Sequence, residues 1–273
     1  MKRPETAMML AAGLGKRMRP ITETLPKPLV KVAGKPLIDW GLDALGRSGA
    51  PKTVVNVHYL ADQLISHLAA RVQPEIVISD ERDLLLDSAG GVVKALPQLG
   101  AAPFYLLNAD TFWVGDEAHP NLDALAATWD ESCMDVLLMT ARFDQATGFE
   151  GRGDFVADAE GRLARARDMP GTPVVYAGAA ILHPRIFAGA EPGVSSLNRY
   201  FDAAIAGGRL YGMPMIGHWL TVGTPEAIGE AEAALSAMEH RTEKWEPVFG
   251  SIRCSNKQID RHNAPDKAHD DLA

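Results

Sequence analysis

Short apolar runs alternate with segments of helical periodicity through the first half of the chain, and that alternation leaves few architectures open. "TAMMLAA" (6–12), "KTVVNVHY" (52–59), "EIVIS" (75–79), "APFYLLNAD" (102–110) and "MDVLLMTA" (134–141) are strand candidates. Between them, "KPLIDWGLDALGRSG" (35–49) sets Leu37, Ile38, Leu42 and Leu45 on one side of a helix ended near Gly49. "LADQLISHLAARV" (60–72) repeats the spacing with Leu60, Leu64, Ile65 and Leu68. Further helices are predicted over Gly91–Leu96 and 122–130. This order predicts an α/β fold, a Rossmann-like, mostly parallel mixed sheet with helices on both faces and right-handed crossovers.

From about residue 142 the texture changes. "GRGDFVADAEGRLARARD" reads as a hairpin with "AEG" at its turn, the start of an antiparallel subregion. "TPVVYAGAAIL" (172–182), "RLYGMPM" (209–215) and "GHWLTVG" (217–223) read as strands, and 195–208 as a helix entered through serine caps. A last helix is predicted over 224–241, with Thr224 as N-cap and Pro225 at the first helical position. Residues 1–241 are read as one domain and 242–273 as a polar, poorly ordered tail.

Charge narrows the function classes. A formal net charge of −8 argues against nonspecific nucleic-acid binding. Cys133 and Cys254 stand in no CxxC or Cys/His cluster, which argues against structural zinc. The N-terminus imitates a signal peptide, but Glu5 interrupts its basic region and the apolar stretch stops at Lys16. No run approaches the roughly 20 apolar residues of a membrane span. A cytoplasmic chain is expected, with no membrane partner. Met8, Met9, Met134 and Met139 read as core, and His58, His67 and His218 as packed or surface residues rather than ligands.

In an open α/β sheet, ligands bind beyond the carboxyl ends of the strands. Two features fall there. The first is the loop "LAAGLGKRMRP" (10–20), where Gly13 and Gly15 let backbone N–H groups approach a phosphate and Arg17 and Arg19 can neutralise it. It is not a Walker A loop, because Arg17 follows Gly-Lys. Nor is it a dinucleotide fingerprint, because Met18 stands where the third glycine belongs. On this stretch alone a tight strand exit with a solvated basic face explains the residues equally well. The second feature is Asn108-Ala109-Asp110 at the end of an apolar strand. It reads as a Mg²⁺-holding carboxylate or as an ordinary Asn/Asp turn. A third element, Lys27 between Pro26 and Pro28, can aim an ammonium group from a stiff backbone.

Taken together, "LAAGLGKRMRPITETLPKPLVKVAGKPLI" resembles the opening of the sugar-1-phosphate nucleotidyltransferase family, with its G-x-G-x-R-[ML]-x-P, P-K-P-[LM] and G-K-P-[LM]-[IL] motifs in order. The resemblance covers about residues 6–240. "GRGDF", "YAGAAILHP" and "GHWLTVGTPE" are most similar to the single-domain branch that uridylylates N-acetylmuramate 1-phosphate in bacterial cell-wall recycling. No hexapeptide repeats follow, so the β-helix acyltransferase domain of the bifunctional relatives is not expected.

The resemblance implies a nucleotide-diphospho-sugar transferase (GT-A-like) fold, with a nucleoside triphosphate and a sugar 1-phosphate as partners and Mg²⁺ as cofactor. It implies that Arg17 holds the triphosphate, Lys27 stabilises charge at the α-phosphate and Asp110 ligates the metal. Leu10, Ala11, Ala12, Gly13, Gly15, Lys16 and Asn108 would line the nucleotide side. Asp87, Ser88, Gly90 and Gly91 would let the base approach the backbone, where the family usually carries E-T-G-G-G or a related sequence. Gly153, Asp154, Gly178 and Asn198 are candidates for the sugar side, and Asn198 is equally a plain helix-surface residue.

One position departs from the family. Its W-x-D-x-G-T segment places a second aspartate on the metal, and this chain has Thr221 there, flanked by Trp219, Gly223 and Thr224. Threonine is neutral and a poor magnesium ligand. Two classes of function therefore stay open: an active nucleotidyltransferase, and a catalytically weak homologue that binds a nucleotide or nucleotide sugar. Within the first, UTP with N-acetylmuramate 1-phosphate leads. GTP with mannose 1-phosphate is the alternative, and a cytidylyltransferase a more distant one. Oligomeric state is not readable.

Overall fold

The computed structural model describes residues 3–239, so the tail expected over 242–273 lies outside the described residues. The strands, in chain order, are β1 (Thr6–Leu10), β2 (Lys31–Val32), β3 (Lys35–Pro36), β4 (Lys52–Val57), β5 (Glu75–Asp80), β6 (Phe104–Asn108), β7 (Thr111–Val114), β8 (Val136–Ala141), β9 (Ala146–Thr147), β10 (Phe155–Ala157), β11 (Leu163–Arg165), β12 (Val175–Leu182), β13 (Leu210–Pro214) and β14 (His218–Thr221). The helices are α1 (Leu37–Arg47), α2 (Ala61–Leu68), α3 (Asp87–Leu99), α4 (Asn121–Thr128), α5 (Leu197–Ala206) and α6 (Glu226–Glu239).

Seven strands form the main sheet in the order β13-β8-β12-β6-β1-β4-β5. β1 pairs in parallel with β4 and β6, β4 with β5, and β13 with β8, whereas β12 runs antiparallel to both β6 and β8. Because side chains alternate along a strand, neighbouring methionines serve opposite faces. Met9 packs with Ile38, Leu42, Leu64 and Leu125 of α1, α2 and α4. Met8 packs with Val92, Leu99, Leu197 and Phe201 of α3 and α5. The mostly parallel sheet covered on both faces is as the alternation predicts, and Met134 and Met139 are also buried.

A smaller sheet, β7-β14-β9, stands beside the main one. β14 is antiparallel to β7 and parallel to β9. The apolar run Thr111–Val114 has no counterpart among the predicted strands, because it is short and follows a turn. Its partner is more than a hundred residues away in sequence. Under this sheet lies a third core of Met18, Val30, Val32, Leu37, Phe112, Leu220, Val222, Ala227 and Ala231. The Phe112 ring stacks on Trp40 at 4.4 Å between centroids. Met18 is fully buried here. The residue that breaks the dinucleotide fingerprint therefore anchors the glycine loop to the small sheet.

The hairpin is present as β10–β11, with Asp158–Arg162 at its turn. Ser196 caps α5 by accepting from the Asn198 N–H, and Thr224 Oγ1 accepts from the Ala227 N–H at 3.4 Å at the start of α6. Two helices differ from the periodicity reading. α2 ends at Leu68, with Leu60 before it in a left-handed conformation. α3 begins at Asp87, four residues before the predicted start. The N–H groups of Ala89 and Gly90 in its first turn donate to the Ser195 carbonyl, a partner supplied by the far half of the chain.

Met18→Ala is expected to cost about 2–5 kcal/mol of stability. In urea denaturation this will lower the midpoint and leave the slope unchanged.

Candidate active site

Parallel registry between β1 and β6 sets Leu10 opposite Asn108, so the two predicted motifs leave the sheet side by side. The Ala109 N–H donates to the Leu10 carbonyl at 3.1 Å and continues that pairing past the strand ends. β4 lies on the other side of β1 and contributes Asn56. Its Oδ1 accepts from the Ala11 N–H at 2.7 Å, which fixes the first residue of the loop.

An open cleft of about 320 Å³ lies at these strand ends. Leu10, Ala11, Ala12 and Gly13 form one wall, Asn108, Ala109 and Asp110 another, and Asp87 and Ser88 a third. Lys27, Pro28, Asn56 and Leu85 complete it. Among the described residues the N–H groups of Gly13, Leu14, Gly15, Lys16 and Arg17 meet no acceptor, while the Gly15 carbonyl takes both the Met18 N–H and the Thr22 hydroxyl. The loop is thus folded by its carbonyls and leaves a run of amides for an anion. Gly15 has φ +61°, and a Cβ there would come within 2.9 Å of Thr22 Cγ2 and 3.1 Å of Lys27 Cβ. Only glycine fits that conformation without strain.

Lys27 lies in a single 3₁₀ turn, Lys27–Leu29, between Pro26 and Pro28. Its Nζ meets Asp110 Oδ2 at 2.7 Å, with the lysine side chain 11% exposed and the aspartate 37%. The carboxylate holds the ammonium at the mouth of the loop. The Val222 N–H donates to the Asp110 carbonyl at 3.1 Å, so Thr221 stands next to Asp110. The Arg17 guanidinium lies against Gly223, which a Cβ would bring within 3.3 Å of Nη1. Lys27, Asp110, Thr221 and Arg17 thus converge, and Lys16 is exposed on the loop.

Other predicted residues have a different geometry. Gly90 and Gly91 are buried and face protein. A Cβ on Gly90 would overlap the Gly193 carbonyl, and one on Gly91 would come within 2.7 Å of both Asn56 Nδ2 and Glu81 Oε1. Their smallness serves helix packing. Asp87 Oδ1 accepts from the Ser88 N–H, and Ser88 Oγ accepts from the Leu197 N–H at 3.0 Å. On the sugar side, Gly178 packs against Thr111 and Asn108. Asp154 Oδ2 accepts from the Tyr176 N–H at 2.9 Å, so this carboxylate is a strut. Gly153 packs against Pro173. Asn198 is exposed and its Oδ1 accepts from Arg165, the helix-surface role.

Three residues of the site were not singled out from sequence. Asn56 and Glu81 are both buried, and Asn56 Nδ2 donates to Glu81 Oε1 at 2.8 Å while Glu81 Oε2 accepts from the Leu86 N–H at 3.2 Å. The chain of contacts ties the start of the glycine loop to the segment before α3. A polar residue within "VVNV" was the available signal. The third is Tyr176, whose buried hydroxyl has no partner among the described residues. Burial and, secondarily, the nearby Asp110 charge push its pKa upward. Of the histidines, His58 Nδ1 meets the Glu81 carbonyl, His67 meets Asp39 and His218 Nε2 meets Thr147 Oγ1. Burial lowers the His218 pKa and favours the neutral ring.

The sequence matches a family model, described as nucleotidyl transferase, over residues 6–237. The chain belongs to that family. It is therefore a nucleotidyltransferase. It is 44% identical over 238 residues to the N-acetylmuramate alpha-1-phosphate uridylyltransferase of Caulobacter vibrioides, covering 85% of this chain and 98% of that protein. With the protein of the same name from Neisseria meningitidis serogroup B it shares 34% over 235 residues, 85% of this chain and 98% of that one. The fold matches the inositol-1-phosphate CTP transferase of T. maritima at a TM-score of 0.67 and 17% identity, covering 85% of this chain and 97% of that chain.

Gly90→Ala forces α3 against the Gly193 carbonyl. A loss of about 1–3 kcal/mol is expected. Nucleotide affinity by calorimetry should fall with it, because Asp87 and Ser88 ride on the same helix turn.

Proposed function

We propose that the chain transfers a uridylyl group from UTP to N-acetylmuramate 1-phosphate, giving UDP-N-acetylmuramate and pyrophosphate. The observation that carries the transfer is the Lys27–Asp110 pair at 2.7 Å, facing a loop of unpaired amides. The choice of nucleotide and sugar rests on the identity with the two uridylyltransferases.

The nucleophile, a phosphate oxygen of the sugar 1-phosphate, is already anionic. The reaction needs positioning and charge stabilisation rather than a protein base. The loop amides and Arg17 receive the triphosphate. Lys27 stands where charge grows on the α-phosphate, and the pyrophosphate leaves in line with the incoming oxygen. Two bonds to the α-phosphorus exchange: one to the sugar phosphate forms and one to the β-phosphate bridge breaks.

Magnesium fits this site in a restricted way. Asp110 offers Oδ1 while Oδ2 is held by Lys27, Thr221 adds no charge, and the described residues contain no group of three His, Cys, Asp or Glu side chains placed to hold a metal ion. One carboxylate oxygen suits an ion that arrives on the nucleotide's phosphates, since magnesium keeps waters and substrate oxygens. The ion would neutralise phosphate charge. Among the described residues no helix is long and apolar enough to cross a membrane. The reading places the enzyme in the cytoplasm, where nucleoside triphosphates are available.

The test is pyrophosphate release with Mg²⁺, crossing UTP, GTP, dTTP and CTP with N-acetylmuramate, N-acetylglucosamine, mannose and glucose 1-phosphates. Turnover is expected with UTP and N-acetylmuramate 1-phosphate and lost with chelator. Preference for another pair would replace the substrates. Silence across the grid with nucleotide bound would leave a binding homologue. Lys27→Ala should lower kcat by about 10²–10³ with a smaller effect on UTP affinity.

A further inference from the structure

Residues 148–154 are pinned at both ends, the first of them beside Thr221. At the start, Gly148 lies so close to the Thr221 carbonyl that a Cβ would overlap it. The next residue after Thr221, Val222, donates to the Asp110 carbonyl. At the end, Asp154 takes the Tyr176 N–H, and its own N–H donates to the Val174 carbonyl at 2.8 Å. Between these feet, Gly151 packs on the Phe149 ring, Phe149 leans on Trp219 at 5.9 Å between centroids, and Gly153 packs on Pro173. The backbone on either side of Arg152 is therefore held, and its side chain is exposed.

Arg152 differs from its neighbours in having nothing to hold. Arg142, Arg162, Arg165, Arg167, Arg185 and Arg209 each pair with a carboxylate of this chain. Arg199 lies over the Tyr200 ring. Arg152 makes no ion pair, hydrogen bond or ring contact among the described residues, and Glu150, two positions earlier, does not engage it. A guanidinium on a fixed loop whose first residue touches the Thr221 carbonyl is a bidentate receptor for an oxyanion.

We propose that Arg152 binds a carboxylate on the sugar 1-phosphate and so sets acceptor specificity. The inference rests on the uridylyl-transfer reading above. N-acetylmuramate and N-acetylglucosamine 1-phosphates share the phosphate and the N-acetyl group. They differ by a lactyl ether that ends in a carboxylate. Cations at the glycine loop and Lys27 answer the phosphates, which every acceptor and nucleotide carries. A separate cation on the 148–154 loop is useful only for the acid. Discrimination then comes from one charge-assisted contact, and no pocket need exclude the neutral sugar.

The test measures kcat/KM at saturating UTP on three acceptors: N-acetylmuramate 1-phosphate, its lactyl methyl ester, and N-acetylglucosamine 1-phosphate. Wild type, Arg152→Ala, Arg152→Lys and Arg152→Glu are compared in the full chain, with melting temperatures as a folding control. Wild type should prefer the acid to the ester. Arg152→Ala should lose roughly 10- to 100-fold on the acid, through KM, and leave the ester and the neutral sugar unchanged. Arg152→Lys should recover part of the loss and Arg152→Glu deepen it. Equal losses on acid and ester, or a variant that still prefers the acid, would overturn the role of Arg152 while the substrate reading stands. A wild type that works on neutral acceptors and rejects the acid would remove both.

Discussion

The site depends on one registry. β1 and β6 are not adjacent in sequence, yet they pair in parallel with Leu10 opposite Asn108. A one-residue slip would turn Met8 and Met9 to the wrong faces of the sheet, so both helical layers enforce the pairing. With that registry fixed, the glycine loop and the Asn-Ala-Asp turn leave the sheet together, and β4 brings Asn56 to the Ala11 N–H. The third core then carries the loop onward, because Met18 is buried with Phe112, Leu220 and Val222. Phe112 and Val222 each stand within two residues of Asp110 or Thr221. Loop and carboxylate are thereby fastened to the same small sheet.

Charge follows from that placement. The chain is acidic overall, at −8, but Lys16, Arg17, Arg19 and Lys27 fall within one short stretch. Lys27 is largely buried and would be costly to hold there alone. Asp110 offsets it and fixes its direction. The same carboxylate that would meet a magnesium ion also orients the lysine. The neutral Thr221 beside it adds no further charge to the pair. The amides of residues 13–17 add positive character without adding titratable groups.

Much of this was legible in the sequence wherever the cause is local. Apolar runs marked the strands of the main sheet, whereas Gly15, Lys27 and Asp110 stood out as a set only through the resemblance of the whole opening segment to a known family. What escaped depends on distant partners. The early start of α3 needs the Ser195 carbonyl, and the burial of Gly90 and Gly91 needs Gly193, Asn56 and Glu81. β7 needs β14. Asn56 and Glu81 look like ordinary strand-end polar residues until the fold joins them. Asn198 has the helix-surface role that its sequence equally allowed, with Oδ1 accepting from Arg165.

The backbone bonds between residues 86–90 and 193–197 have a consequence for how such a chain can be taken apart. The Ser195 N–H donates to the Leu86 carbonyl, the Ser195 carbonyl takes two N–H groups of α3, and the Leu197 N–H ends on Ser88. The Asp87–Ser88 wall of the cleft is therefore stitched to the second half of the chain. The shift in texture near residue 142 resembles a border between modules, but it is not a place to cut. A fragment ending there would keep the glycine loop and Lys27 and lose the seam that shapes the cleft. The two halves were joined as one device, and a shuffled or split version of this chain would have to carry both sides of that seam together.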